Sequence, residues 1–318
     1  MKRKWKSLLG LFLVFALTAC GKGSPADQTV LRIGEEEISR TEYMVYLYTT
    51  SQSFEAAAGE DVWGMDFDGQ SADQLVEERT INTLQSVIAA EDYAAANGIF
   101  LTDEEKEQAK LAAEQFFVGV DAEDQEKINV DLEELTALME ASYLYTLVHQ
   151  SIAEECQVDA AETEAYYQEN KDRLQEEYTM LHVQSVLVEK EDTAEEVLEK
   201  ARNGEDFTVL FAEYDIQPDE ENGGKVSMHQ GQAQVIFGLP NDLQVGDIYG
   251  PIQRSNGYFV LQIMAEETPS SEEVKQLAEN IYRTEVQTVY AEARFAEMIK
   301  SQTVEKVAGN WDTLEIFH

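Results

Sequence analysis

Residues 243–264, which read LQVGDIYGPIQRSNGYFVLQIM, combine closely spaced glycines with a final apolar run from Gly257 to Met264. Glycines permit the tight turns that join short strands, while β-branched and aromatic residues favour the strands themselves. Upstream, Val183–Val188 has the same strand-like character. Between these two strands, apolar residues recur at the spacing of short helices. The middle of the chain is therefore predicted to be a small domain of short strands and helices.

The regions on either side are predicted to be mainly helical. Ser39, Ser71, Thr102 and Thr193 are each followed three residues later by Glu or Gln, which is the spacing of a capping box. Apolar residues follow at helical spacing, and a long helix is predicted from about Ser271 to Lys300. Two short strands are expected before the first helix, and residues 60–70 are expected to form a loop. The predicted fold class is α+β, with helices predominating.

The charge balance argues against nucleic acid as a partner. The 318 residues include 23 Lys and Arg and 63 Asp and Glu, which gives a net charge of −40. A protein that follows a phosphate backbone needs a basic surface, and no basic cluster occurs after Lys6. Four scattered histidines and two cysteines show no metal-ligand spacing, so the sequence implies no metal and no cofactor. An apolar content of 43% is sufficient for a buried core.

The N-terminus has the pattern of a targeting segment. Basic residues precede the apolar run Leu8–Ala19, which is too short to span a bilayer comfortably. The run ends at Leu17-Thr18-Ala19-Cys20 and so resembles the bacterial lipobox. That resemblance implies a signal peptide at residues 1–19, a diacylglycerol on Cys20 and a tether at residues 20–28. A secretory signal with an incidental cysteine and an uncleaved anchor are the alternatives.

Residues 178–265 resemble a parvulin-type peptidyl-prolyl isomerase domain along their whole length. The segments that carry the resemblance are Ser185-Val186-Leu187-Val188, Thr193-Ala194-Glu195-Glu196-Val197, Asn203-Gly204-Glu205-Asp206-Phe207, Ala212-Glu213-Tyr214, Asn222-Gly223-Gly224, Gly231-Gln232, Leu243-Gln244-Val245-Gly246, Gly250-Pro251-Ile252 and Asn256-Gly257-Tyr258. The resemblance implies a short antiparallel sheet with helices, inserted into a larger molecule.

The flanking segments are similar to the chaperone part of PrsA- and SurA-type foldases. This resemblance implies a discontinuous helical chaperone domain built from residues 29–175 and 268–318. With the lipobox, it implies a foldase lipoprotein on the outer face of a Gram-positive cell membrane. Its partners would be unfolded or newly translocated secreted polypeptides, held at the membrane by the lipid anchor, and a homodimer is compatible with the family.

The parvulin resemblance also indicates where a proline-binding pocket would lie. Phe237 matches the family phenylalanine, Val226 matches a leucine, and Ala233 stands where the family has methionine. The polar positions differ: the two family histidines fall on Ser185 and Phe259, and the central Cys or Asp falls on Gln217. These six residues are the candidate proline pocket, and the sequence identifies no catalytic residue among them.

The histidines that are present do not replace the missing pair in the sequence. His182 is three residues before Ser185, and an odd offset on a strand places it on the opposite face. His229 lies in the glycine-rich stretch and is expected to be exposed.

The sequence therefore supports a foldase that acts mainly as a chaperone, with weak or absent isomerase activity. An active prolyl isomerase is the alternative, and an extracellular solute-binding or adhesive lipoprotein is a third interpretation.

Overall fold

The computed structural model describes residues 28–217 and 222–317, so the predicted signal peptide and Cys20 lie outside the described residues. Ten α-helices occur in this part of the chain: α1 (Arg40–Ala58), α2 (Ala72–Asn97), α3 (Asp103–Gly119), α4 (Ala122–Ile128), α5 (Leu132–Glu154), α6 (Ala160–Glu177), α7 (Glu191–Arg202), α8 (Phe207–Tyr214), α9 (Gln230–Phe237) and α10 (Ser271–Ile299). None of these described helices is both long and apolar enough to cross a membrane.

The strands are short and all of their pairings are antiparallel. They are β1 (Thr29–Ile33), β2 (Glu36–Ser39), β3 (Asp66–Phe67), β4 (Gln70–Ser71), β5 (Met180–Val188), β6 (Lys225–His229), β7 (Ile248–Arg254), β8 (Gly257–Glu267) and β9 (Val304–Lys306). The α+β fold class that the sequence predicted, with helices predominating, is confirmed.

The chain divides into two compact units, and the first contains both ends of the described chain. It comprises the described residues up to Ala153 and those from Ala291 onward. Its sheet has the order β2-β1-β9. Leu31 therefore pairs with Lys306, although the two residues lie near opposite ends of the described chain. The core below this sheet is made by α1, α2 and the C-terminal residues, and it includes the fully buried Leu31, Tyr43 and Leu84.

The second unit, Glu154–Tyr290, is built on a four-stranded sheet with the order β6-β5-β8-β7. Side chains alternate between the two faces of a strand, and both faces of this sheet are covered. On one face Val186, Val188 and Val260 pack with α7 and α8. On the other face Val183 and Leu261 pack with α9. The predicted boundaries at 175/178 and 265/268 fall inside this unit and stay a prediction.

Three of the four predicted capping positions are confirmed, and one is wrong. Ser39, Ser71 and Thr102 each accept a hydrogen bond from the backbone N–H three residues later, and they begin α1, α2 and α3. Thr193, in contrast, lies inside α7, which begins at Glu191 with Lys190 as its N-cap residue. Two carboxylates in the first turn of α7, from Glu191 and Asp192, complement the helix dipole there without a side-chain cap.

Other short elements were missing from the sequence prediction. Residues 60–70 form a 3₁₀ helix (Glu60–Gly64) and the β3–β4 hairpin rather than a continuous loop. The helix α4 and the strand β9 were also not predicted. Each of these elements is short, so its periodicity is too brief to be recognised in the sequence.

Candidate functional sites

Two aromatic rings meet on one face of the four-stranded sheet. Phe237 is the last residue of α9 and Phe259 lies in β8. Their ring centroids are 5.5 Å apart and the ring planes cross at 69°, an edge-to-face geometry that aromatic pairs favour. Both rings are half-buried and, like Tyr249 and Ile252, pack against the same buried core of this unit. We call the surface formed by these four residues the Phe237 face; its exposed part can contact an apolar group from another chain.

The local sequence holds Phe237 in this position. Gly238 follows it with a left-handed backbone (φ 67°), and its N–H donates to the Gln234 carbonyl at 2.8 Å, which ends the helix. One turn earlier, Ala233 is fully buried. A small residue there allows α9 to approach the sheet closely, and the final ring of the helix therefore reaches β8.

Ser185 and Val226 lie on the same side of the sheet as this ring pair. Ser185 is two residues after the buried Val183 in β5, so both side chains point to that face. The Ser185 Oγ donates to the Gly224 carbonyl at 3.3 Å, so its hydroxyl proton is already used in a hydrogen bond within the domain. Val226 pairs directly with Val183 and is 45% exposed. These two residues extend the Phe237 face towards β6.

Gln217 is held separately. It lies in the bend after α8, it is exposed, and its backbone N–H donates to the Asp215 Oδ1 at 2.8 Å. The other oxygen of that carboxylate, Oδ2, accepts from the Leu187 N–H at 2.8 Å. The Asp215 carboxylate thus links this bend to β5, and the Gln217 backbone N–H is one of the donors to that carboxylate. The role of all six residues in a proline pocket stays a prediction.

A basic residue that the sequence analysis did not single out stands beside Phe237. The guanidinium carbon of Arg254, at the end of β7, is 5.9 Å from the centroid of the Phe237 ring. The Arg254 Nε donates to the Ile236 carbonyl, and Nη1 donates to the Gln253 carbonyl at 2.8 Å. The sequence signal that could have identified Arg254 is the presence of an arginine, in a strongly acidic chain, within the segment bounded by Gly250 and Gly257.

The three described histidines have other partners. His182 is on the opposite face from Ser185, where its Nδ1 is 2.7 Å from the Ser227 Oγ and its Nε2 is 3.3 Å from Glu267. His149 stacks on Phe295, with centroids 5.8 Å apart. His229 is half-buried against Tyr178 rather than exposed as predicted, because it begins α9 where β6 ends.

The chain is similar to known foldases along nearly its full length. It is 24% identical to the foldase protein PrsA of Caldanaerobacter subterraneus subsp. tengcongensis over 321 residues, which covers 98% of each chain. It is 22% identical to the PrsA of a Geobacillus species, over 95% of this chain and 96% of the relative. The crystal structure of PrsA from Streptococcus pneumoniae matches 74% of this chain and 92% of its own, with 18% identity and a TM-score of 0.45.

Residues 158–276 match the family model of the PPIC-type PPIase domain. The chain is a PrsA-like foldase with a parvulin domain. The resemblance derived from the sequence is confirmed at the level of this family and of its foldase function. That Ser185, Gln217 and Phe259 stand at the three polar positions of the family stays a prediction from the sequence.

A second candidate site lies in the first unit. A cleft of about 790 Å³ opens between α1, α2 and α5, and its exposed surface is mainly apolar. Val45, Val87, Leu138 and Met139 contribute apolar side chains to its wall. Burial raises the pKa of the Tyr46 hydroxyl to about 12, so this wall residue is neutral throughout the physiological range.

The polar side chains of this cleft are mostly hydroxyls whose protons point into the helices. Thr50 donates to the Tyr46 carbonyl at 2.8 Å, Thr83 to the Arg79 carbonyl at 3.0 Å and Ser142 to the Leu138 carbonyl at 3.1 Å. A hydroxyl that has donated its proton keeps lone pairs that can accept. The helical cleft therefore offers acceptors and apolar surface, which suits a ligand that supplies N–H donors.

The sequence contained a signal for this cleft that was not used. Small polar residues recur three or four positions apart on each lining helix, as at Thr49, Thr50 and Ser53 in α1 and at Asn82, Thr83 and Ser86 in α2. Such a stripe marks one face of a helix. Which faces converge, however, depends on helix packing, and no single helix contains that information.

Proposed function

We propose that this foldase acts chiefly by holding unfolded client segments in the helical cleft, with prolyl isomerisation weak or absent. The observation that carries this proposal is the cleft itself, which combines an apolar wall with accepting hydroxyls. An unfolded polypeptide presents both exposed apolar side chains and unpaired backbone N–H groups. The apolar wall of the cleft can contact those side chains, and its hydroxyls can accept from those N–H groups. This binding requires no catalytic group.

The Phe237 face supports the second half of the proposal. Rotation about a peptide bond faces a barrier of about 18–20 kcal/mol, and catalysis requires groups that favour the twisted amide over the planar one. Apolar contact with Phe237 binds a proline ring equally well whether the amide is planar or twisted. The Ser185 proton is donated to the Gly224 carbonyl, and Phe259 offers no polar group. We therefore expect this face to bind proline-containing segments and to accelerate their isomerisation little.

An active isomerase is the competing function, and the retained Phe237, which matches the family phenylalanine, favours it. Two assays on the same preparation separate the functions: isomerisation of a proline peptide, and suppression of aggregation of an unfolding client. We expect robust suppression with little catalysis. Fast catalysis that Phe237→Ala abolishes, together with weak suppression, would reverse the order of the two functions.

We also propose that the protein is tethered outside the cell through Cys20. The lipobox pattern at residues 17–20 supports the tether. Two acyl chains at this cysteine give membrane binding that a single chain does not. Cys20→Ala is expected to shift the protein from the membrane fraction to the medium. A homodimer is a further part of the proposal, which sedimentation of the chain without residues 1–19 tests.

A further inference from the structure

Arg79 in α2 is the only charged residue among the described side chains that line the helical cleft. Its guanidinium carbon lies 4.8 Å from the centroid of the Phe54 ring, which belongs to α1 and is 5% exposed. A cation over an aromatic face is attracted to it, so this contact holds the guanidinium at the cleft wall. Phe54 is in turn fixed by Trp63 and Phe67, whose ring centroids are 6.0 Å and 5.6 Å away.

The charge of Arg79 has no partner within the described part of the chain. The ion pairs there are made by Arg32, Arg173, several lysines and one histidine, and none includes Arg79. The chain has 63 acidic residues against 23 basic ones, so an arginine without a carboxylate partner is an exception that needs a reason. A guanidinium binds carboxylates through charge-assisted, often bidentate hydrogen bonds. Arg79 therefore offers a site for an acidic group of a ligand.

The position of Arg79 along the cleft gives such a ligand a register. On α2 the wall runs from Arg79 through Thr83 to Val87, at the four-residue spacing of one helix face. Arg79 and Val87 are eight residues apart, which is about 12 Å along the helix axis. An extended chain advances about 3.3–3.6 Å per residue. When a carboxylate of the ligand pairs with Arg79, the residue three or four positions away therefore lies beside the apolar Val87.

We propose that Arg79 makes the helical cleft selective for client segments in which an acidic side chain lies three or four residues from an apolar one. The inference rests on the proposed holding function and adds the chemistry of the segment that the cleft prefers. The overall acidity of the chain does not oppose it at short range, because at physiological ionic strength exposed charges beyond about 8 Å are largely screened.

The test uses the full chain after residue 19 and three labelled peptides of sequence Ser-Leu-Val-Ser-Ser-X-Ser, in which X is Glu, Gln or Lys and both ends are blocked. Binding is measured by fluorescence anisotropy at physiological salt. We expect the Glu peptide to bind roughly 5- to 10-fold tighter than the Gln peptide, and the Lys peptide to bind weakest. A fourth peptide, Ser-Leu-Val-Glu-Ser-Ser-Ser, has the wrong spacing and is expected to bind no better than the Gln peptide.

Arg79→Gln is expected to equalise the Glu and Gln peptides. Arg79→Glu should reverse the order so that the Lys peptide binds tightest, a result that a merely structural arginine would not give. Arg294→Gln is the matched control, because it removes the same charge from an exposed position on α10 in the same unit, outside the cleft wall. Thr83→Trp, which fills the cleft, should weaken all peptides alike. Circular dichroism confirms that each variant is folded.

The outcomes are distinguishable from failure of the proposed function. If Thr83→Trp weakens every peptide but Arg79→Gln keeps the Glu preference, the role of Arg79 is wrong while the holding function stands. If Arg294→Gln loses the preference to the same extent, general electrostatics explains it and Arg79 is not selective. If no peptide binds at millimolar concentration, or if Thr83→Trp leaves binding unchanged, both the holding cleft and the role of Arg79 are overturned.

A carboxylate amphiphile is the other occupant that an apolar cleft with one guanidinium could take. Oleate is therefore added as a competitor of the labelled Glu peptide. We expect it to displace the peptide no better than a short unlabelled Glu peptide does. Displacement by oleate at a much lower concentration, lost in Arg79→Gln, would make a lipid the ligand and overturn the assignment to client segments.

Discussion

At the residue scale, Glu42 in the first turn of α1 makes stability depend on pH. Burial, with the Glu91 charge as a second cause, raises the pKa of Glu42 from its ordinary value near 4.5 to about 7. The folded protein therefore keeps a proton that the unfolded chain releases. The stability from this group is complete below about pH 4.5 and is lost as the pH rises through 7.

Glu42→Gln is therefore expected to flatten the decrease in unfolding free energy between pH 5 and pH 8, by an amount on the order of 1–3 kcal/mol. At pH 8 the variant should be more stable than the parent. Urea unfolding at the two pH values measures this difference. Glu107→Gln, at an exposed position in α3, is the control for net charge, and an equal effect there would contradict the role of Glu42.

Gly224 is a second single-residue determinant. Its backbone is left-handed (φ 74°), and a Cβ at this position would lie 2.5 Å from the Ser185 carbonyl oxygen and 2.6 Å from the Phe211 ring. Gly224→Ala is expected to reduce the free energy of unfolding by roughly 3 kcal/mol or more, since strain and a clash with backbone combine.

The matched control for that substitution is Gly204→Ala. Gly204 also has positive φ (91°), but nothing lies within 4 Å of its Cβ position. Gly204→Ala should reduce the free energy of unfolding only by the conformational cost of a positive φ, about 1–2 kcal/mol. Denaturant unfolding measures both losses, and equal losses for the two variants would show that the close approach at Gly224 does not matter.

At the scale of elements, the C-terminal segment completes the core of the first unit. β9 pairs with β1, and Phe317 near the end of the chain is 2% exposed, with its ring 5.1 Å from that of Tyr48. Phe317→Ala is expected to lower the free energy of unfolding by about 3 kcal/mol, because it empties a buried site.

Val118→Ala is the control, since Val118 in α3 is 88% exposed and its truncation should cost less than about 0.5 kcal/mol. Urea denaturation followed by tryptophan fluorescence reports the change, because Trp311 packs on Tyr43 in the same core. A loss of less than about 1 kcal/mol for Phe317→Ala would mean that the C-terminal segment is not part of the cooperative unit.

At the scale of the whole molecule, holding activity is expected to depend on access to the helical cleft. Thr83 is an exposed cleft residue, so Thr83→Trp should fill the cleft without disturbing the core. We expect this variant to lose at least half of its ability to suppress aggregation of a heat-unfolded client, measured by light scattering. The physical reason is loss of the apolar surface that the client covers.

Gln52→Trp is the control, because Gln52 is exposed on α1 outside the cleft wall and the same indole is added there. It should suppress aggregation as well as the parent. Equal loss in both variants, or in neither, would remove the helical cleft from the proposed function.

Part of this molecule could be predicted because its signals are local. Ser39, Ser71 and Thr102 begin their helices as predicted, since a capping hydroxyl and its acceptor are three residues apart in the chain. Thr193 had the same spacing and failed. There the chain is already helical from Glu191, and the spacing alone cannot show where a helix begins.

The sites depended on relations between distant residues. The sequence identified Phe237 through its family resemblance, but it gave no reason to join Arg254 to it, because α9 and β7 are brought together by the sheet. The stripes of small polar residues on α1, α2 and α5 were readable one by one, whereas their convergence into a cleft was not.

The sequence by itself determined the helical and strand character and the acidic surface, because these follow from composition or from residues a few positions apart, and it indicated the parvulin domain through the resemblance of residues 178–265 to that family. Only the tertiary structure decided that β9 joins β1, that a cleft opens between three helices, and that the Arg254 guanidinium stands beside Phe237. Those features depend on packing between segments far apart in the chain, where many arrangements share the same local pattern.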